Sequence, residues 1–479
     1  MTSNRHNLSK RADGIFYAAL IGACLLTALT QAVNCFPDDG WFQTQHRIIG
    51  HWPGADNYTP IAAPAYFHAV THALAALLKL SIAQELHLAS TLQGGMMFCA
   101  LLCIYKALRQ LQVSPTLARC VTGGAAAYLL ATLVTQAFWS ENAMILLMAA
   151  LAYLVARQIG HANPSRPHHA GVAHNLTLAL VLAIAAITRA VPLVLLLPLA
   201  LVTAHRSGLA NTLRSMATIV PAVALIIALA MWANAMRFDR FELSNSTGRH
   251  LWQSIYPIAP QMLHDHPAYP ALHAAYPQLQ KQDWWSIVPQ RIPGYEHHSQ
   301  ETFLRELTLW ALKHHPGPWL RHGADKFLTM VLQPLPRIGL WYRVDPATNP
   351  LGRTTLLPPL LGGSLSDAWR ANLDGVHTAF SRAHPALVLL PLLALLLPLP
   401  RENTPPAWRP ALAFYAAAFF MCIYASLQIE VALDRYTLPY VPFLAMMVGV
   451  AVQIVTHAVH VHRRRPKTTA EGAIPSPRR

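Results

Sequence analysis

The chain has 479 residues, of which 54% are hydrophobic and 12% charged, and its mean hydropathy is +0.31. So few charges cannot cover a soluble globule of this size, which excludes a water-soluble enzyme and points to an all-α polytopic membrane protein. The net charge of +15 does not indicate nucleic acid, because Lys and Arg gather in short segments beside apolar runs, as they do in cytoplasmic loops. Among six cysteines, only Cys35 lies near a loop, and no disulfide framework or metal-ligand spacing emerges.

The basic tail Arg5, Lys10, Arg11 places the N-terminus in the cytoplasm and precedes a first span from Gly14 to about Val33, long enough to cross the bilayer and read as a retained anchor. The chain then emerges into an outer loop, 35–81, that opens with Phe36-Pro37-Asp38-Asp39-Gly40-Trp41. Two adjacent carboxylates beside a low-dielectric phase are costly unless something uses them. Pro, Asp and Gly are equally the residues that a simple turn selects. Both readings of Asp38 and Asp39 stay open on these residues alone.

The apolar run 64–80 is short and is expected to lie flat in the interface, since a span there would turn the loop with Lys106, Arg109 and Arg119 to the outside. Spans are expected at about 88–106, 116–136 and 140–157, followed by a cytoplasmic loop from Arg157 to His174. The apolar stretch 175–204 is broken by Arg189 and Pro192 and reads as two short spans meeting at an outer turn. A further span covers about 213–236, closing an N-terminal module, 1–236.

Residues 237–384 are rich in His, Trp, Tyr, Pro and charge, and read as a mixed extracytoplasmic domain. Within it 300–335 is expected to be helical, with Phe303, Leu307, Trp310 and Ala311 at helical spacing. No His-x-x-x-His or His-Glu-x-x-His signature occurs among the histidines of this segment, so they are expected to be scattered on the surface without a metal site. Spans at about 385–400, 408–428 and 435–458 form a C-terminal module, 385–462, ending in the basic cytoplasmic tail 463–479. The sum is about ten spans with both termini inside, which agrees with every basic loop.

Under this topology Asp38, Asp39, Glu141, Arg189, Glu430, Asp434 and Arg435 converge on the outer face, where charges at membrane depth line a cavity or pair with one another. Glu141 begins a span, where the positive end of the helix favours a carboxylate. Arginine suits a phosphate because its planar fork stays charged and donates two parallel hydrogen bonds.

The order of these pieces resembles the GT-C superfamily of membrane glycosyltransferases, in particular bacterial relatives of dolichyl-phosphate-mannose protein mannosyltransferases and aminoarabinose transferases. The matching parts are the acidic first loop Pro37-Asp38-Asp39-Gly40-Trp41, the interfacial segment Tyr58 to Leu80, Ser140-Glu141, Thr188-Arg189 before Pro192, and Glu430 followed by Arg435-Tyr436-Thr437-Leu438-Pro439. Where many relatives carry Asp-Glu in the first loop, this chain has Asp-Asp.

The resemblance implies an inverting transfer of a sugar from a polyprenyl-phosphate donor to an acceptor hydroxyl. It implies Asp38 or Asp39 as general base, and Glu141, Arg189, Glu430, Arg435 and Tyr436 as substrate-binding residues. The acceptor is a glycan, lipid or protein; no metal or other cofactor and no nucleic acid is involved. The setting is the bacterial inner membrane among its lipids, with the site facing the periplasm. The rivals are a lipid-linked glycan ligase or polymerase, for which His297, His298, Arg305 and His314 would speak, and a transporter or flippase of lipid-linked substrates.

Overall fold

A chain this poor in charge satisfies its backbone polar groups within helices. The computed structural model is accordingly built of helices and turns, and describes residues 2–30, 70–71, 73–80, 82–136, 140–160, 171–238, 241–243, 247–282, 286–335, 358–397, 405, 407–429 and 434–464; among these there is no strand. Its α-helices are α1 (Thr2–Thr30), α2 (Ile82–Gln110), α3 (Pro115–Ala131), α4 (Ser140–Gly160), α5 (Val172–Thr188), α6 (Leu196–Ser207) and α7 (Leu209–Phe238). There follow α8 (Thr247–Ile255), α9 (Ala259–Leu263), α10 (Tyr269–Ala275), α11 (Gln300–His314), α12 (Pro316–Leu332), α13 (Pro358–Leu393), α14 (Trp408–Ile429) and α15 (Val441–Arg464).

Among the described residues, six stretches are long and apolar enough to cross a membrane: Arg11–Thr30, Leu88–Gln110, Glu141–Gly160, Leu209–Met236, Trp408–Gln428 and Thr437–His462. On α7, Leu213, Leu225, Trp232 and Met236 are exposed, and only 11% of its apolar window is buried. In water that face would be an uncovered apolar patch, whereas in a bilayer it meets lipid. This is an integral membrane protein.

The helices are sorted by their ends. At one end, the Tyr105 hydroxyl near the close of α2 donates to Asp13 in α1 at 2.7 Å, and Arg119 of α3 reaches the same carboxylate at 3.3 Å. Trp408, which opens α14, donates its indole N–H to Leu111 O at 2.8 Å. Arg206 of α6 donates to Ile159 O of α4 at 2.9 Å. At the opposite end, Ser90 of α2 donates to Ala28 O of α1 and to Thr135 O beyond α3 at 3.4 and 3.3 Å. Close helix approach needs small residues. A Cβ added to Gly94 would lie 3.2 Å from Cys24 O and 3.3 Å from the Ala28 Cβ, which is why α1 and α2 meet there.

A second set of buried residues lies in 247–315, around Trp252, Met262, Leu272, Phe303 and Leu307. Glu301 organises it: its two carboxylate oxygens accept from the Gly248 and Arg249 N–H groups, satisfying donors that open α8. Burial pushes the Glu301 carboxyl above its ordinary value, outweighing those two hydrogen bonds and the nearby Arg249 and Arg305. The expected helical segment 300–335 is two helices, because His315-Pro316 ends α11 and opens α12. Phe303, Leu307 and Ala311 are buried, while Trp310 packs at the edge of the cluster.

The expected boundary at 384–385 falls inside α13, which is continuous over 36 residues with Pro385 and Pro391 within it. Proline interrupts a helix when the lost hydrogen bond has no substitute, and packed neighbours in a membrane bundle supply one. His384, next to Pro385, is buried; its ring meets Tyr128 Oη at 3.2 Å and Val331 O at 3.2 Å, tying α13 to α3 and α12. Of the interfacial run 64–80, the described part ends in a turn at Lys79, whose φ is +53°. Of the first span, α1 is described as far as Thr30, residues 31–33 lying outside the described residues, and the expected start at 88 lies within α2, which spans Ile82–Gln110.

Candidate active site at one end of the bundle

The break between α5 and α6 is written in the sequence and sets the geometry of this end. Thr188, the last residue of α5, returns its hydroxyl to Ile184 O at 2.8 Å. Arg189 is then extended, with φ −153° and ψ 132°, and Pro192 lies in a 3-10 turn over Val191–Leu195 before α6 begins. An extended residue at a helix end turns its side chain off the helix face. The guanidinium Nη2 of Arg189 donates to Glu141 Oε1 at 2.7 Å, and the pair is withdrawn from solvent, with side-chain exposures of 13% for Arg189 and 1% for Glu141.

Glu141 belongs to the first turn of α4, where unpaired N–H groups and the helix dipole favour a carboxylate. A buried ion pair gains little over apolar packing, but removing one partner leaves an uncompensated charge at a cost of about 3–5 kcal/mol. Glu141 and Arg189 therefore hold each other in place.

Next to Glu141, the Asn142 amide donates to Gln93 Oε1 at 2.7 Å and to Val134 O at 2.8 Å. Val134 starts the 3-10 turn that also carries Thr135, the acceptor of Ser90. A polar path thus runs from the end of α1 at Ala28 through Ser90, the 134–136 turn and Asn142 to the residue beside the Glu141–Arg189 pair. The chain leaves α1 at this end, and Asp38 and Asp39 follow Thr30 in sequence by eight and nine residues.

The 3-10 turn Asp434–Tyr440 packs against α4, α14 and α15. Tyr440 is fully buried, its hydroxyl 3.2 Å from Ser426 Oγ of α14. This turn carries Arg435 and Tyr436 on its backbone and rests on the helix that Glu141 opens. Of the sequence-derived site residues, then, Glu141 and Arg189 are in contact and Arg435 and Tyr436 belong to the adjoining turn. Asp38, Asp39 and Glu430 lie outside the described residues.

The structure adds residues that the sequence reading leaves out. Ser90 and Gln93 are buried one turn apart on α2, and Glu85 is buried in its first turn. Their signal was the cluster of polar side chains in the first half of α2, of which these three are buried and so face protein and not lipid. Gln428, near the close of α14, is buried against Gly323 of α12, and neither its Nε2 nor its Oε1 has a hydrogen-bond partner among the described residues.

No known protein family model matches this chain, and no curated protein matches it. The chemistry available at this end must be read from its own residues. A guanidinium oriented by a buried carboxylate is a preorganised cation for an anionic group, above all a phosphate oxygen pair that its planar fork matches. The carboxylate that orients it carries a helix N-terminus on its own side.

Proposed function

We propose that this chain is a membrane glycosyltransferase of the GT-C type that moves a sugar from a polyprenyl-phosphate donor to an acceptor hydroxyl outside the cytoplasm. The observation that carries the reading is the Glu141–Arg189 pair: two residues distant in sequence, each singled out by its place at a span end, meet at 2.7 Å at the end where the acidic first loop departs. In this reading α1 to α7 and then α13, α14 and α15 cross the bilayer in alternating directions. That gives about ten spans, with Arg109, Arg119 and Arg206 at the cytoplasmic end and Arg189 at the outer one. The helices α5 and α6 are short for spans, and the two half-turned ends between them supply the outer corner.

The step proposed is a single displacement. The acceptor oxygen bonds to the anomeric carbon of the sugar, its proton passes to the carboxylate of Asp38 or Asp39, and the carbon–oxygen bond to phosphate breaks with its electron pair leaving on the lipid phosphate. Arg189, with Arg435, stabilises the charge that grows on that phosphate. The ligase reading would use histidines and arginines of the outer segment. Several of these are engaged locally: Arg305 pairs with Glu242 at 3.5 Å, His298 with Glu306 at 3.6 Å, and His314 stacks on Trp310.

The test is transfer from a radiolabelled polyprenyl-phosphate sugar pool in membranes matched for expression. Loss of transfer with Arg189→Lys, in protein that still extracts as a monodisperse species, supports the reading. Wild-type rates with that variant contradict the assigned role of the fork.

A further inference from the structure

The connection after α9 and the junction of α11 with α12 bring His264, Asp265 and His315 together, and one ligand atom from each lies within 4.8 Å of the others. Nε2 of His264 is 3.1 Å and Nε2 of His315 is 3.6 Å from the same oxygen, Asp265 Oδ2. The two imidazoles stand 4.9 Å apart, centre to centre.

The hydrogen bonds around them fix the protons. His264 Nδ1 is 3.0 Å from Gln261 O. A carbonyl oxygen only accepts, so Nδ1 carries the proton, and in the neutral ring the Nε2 lone pair faces the carboxylate. Two lone pairs opposed across 3.1 Å require a cation between them. Nε2 of His315 is buried, points at the same oxygen, and has no hydrogen-bond partner among the described residues. One proton on His264 would satisfy one of these two contacts; a metal ion satisfies both.

We propose that His264, Asp265 and His315 bind a divalent transition-metal ion of the zinc type. Ligand atoms around tetrahedral zinc at bond lengths of about 2.0–2.1 Å stand about 3.3 Å apart, a value that the 3.1 and 3.6 Å separations straddle. The Gln261 carbonyl orients the His264 ring, as outer partners of metal-bound histidines do. With three protein ligands and two of them exposed, water completes the coordination. The ion ties the segment after α9 to the junction of α11 with α12, and α12 in turn packs on α14.

The experiment uses the full chain, purified in detergent by a tag without histidine, stripped with chelator and titrated with Co2+, then Zn2+. One Co2+ per chain with the visible absorption of a tetrahedral N/O site, displaced by Zn2+, is expected, together with a zinc-dependent rise in melting temperature. His315→Ala and the exposed-site variant His264→Gln are each expected to weaken Co2+ binding by at least about tenfold, while His297→Ala binds as wild type. The proposal is overturned if wild type shows no tetrahedral absorption at stoichiometric Co2+, or if a folded His264→Gln protein keeps it.

Discussion

Glu141 and Arg189 meet at 2.7 Å, and the two halves of the pair can be separated by substitution. Arg189→Ala leaves a carboxylate buried without its cation, and the expected loss is about 3–5 kcal/mol, read as a lowered melting temperature in detergent. Glu141→Gln keeps a hydrogen-bond acceptor for Arg189 and is expected to cost less stability than Arg189→Ala, while releasing the orientation of the fork. Equal melting temperatures for Arg189→Ala and wild type would show that the pair is not held in the folded protein.

Sequence reasoning found both residues because charge at a span end is expensive, and that expense is visible in one dimension. It did not find Ser90, Gln93 or Gln428, because an uncharged polar side chain in an apolar helix stands out only once the face it occupies is known. The histidines show the same limit more sharply. His264, Asp265 and His315 form no helical i, i+4 signature, and only the fold brings residue 315 to residues 264 and 265.

Glu301 gives a pH prediction with a definite sign. Its folded-state carboxyl is held above the ordinary value of 4.5 by burial, so its contribution to stability is fully present below the unfolded value and is lost as pH rises through the folded one. The melting temperature of wild type minus that of Glu301→Gln should therefore be larger at pH 4 than at pH 7. A difference that grows with pH would reverse the sign and place the charged form as the favoured one.

Individual elements differ in how much of them the sequence declares. The corner between α5 and α6 was legible because Arg189 and Pro192 interrupt an apolar run with a charge and a missing N–H donor. The continuity of α13 was not, since Pro385 and the polar residues before it look like an end, and their support comes from α3 and α12, which are distant in sequence. The meeting of α8 and α11 was equally hidden. It depends on Gly248, where an added Cβ would meet the Glu301 carbonyl and stand 2.8 Å from Arg305 N. Gly248→Ala should destabilise the 247–315 cluster by about 1–3 kcal/mol, as overpacking does. Faster limited proteolysis within that segment, with the membrane helices unaffected, is the expected readout. An unchanged cleavage rate would mean that the two helices separate at little cost.

For the whole molecule, the membrane class followed from composition alone and the helices bear it out, because a bilayer admits few ways of satisfying a backbone. The number of crossings and their direction are part of the proposal and have their own test. In a cysteine-free background, a cysteine at Gln290 should react with a membrane-impermeant reagent added outside intact cells, and one at Ser207 only after the cells are opened. Labelling of both from the outside would contradict the proposed sidedness, and with it the position of Arg189 at the outer surface.

In the proposed function the acidic stretch after α1 and the Glu141–Arg189 pair serve one reaction. The most direct measurement is sugar transfer from a polyprenyl-phosphate donor by Asp38→Asn, Asp39→Asn and Arg189→Lys proteins at matched expression. Loss of transfer by one of the two Asn variants, with intact folding, together with loss by Arg189→Lys, is the predicted result and identifies the base. Full transfer by both Asn variants would return Pro37-Asp38-Asp39-Gly40 to a simple turn and contradict the account.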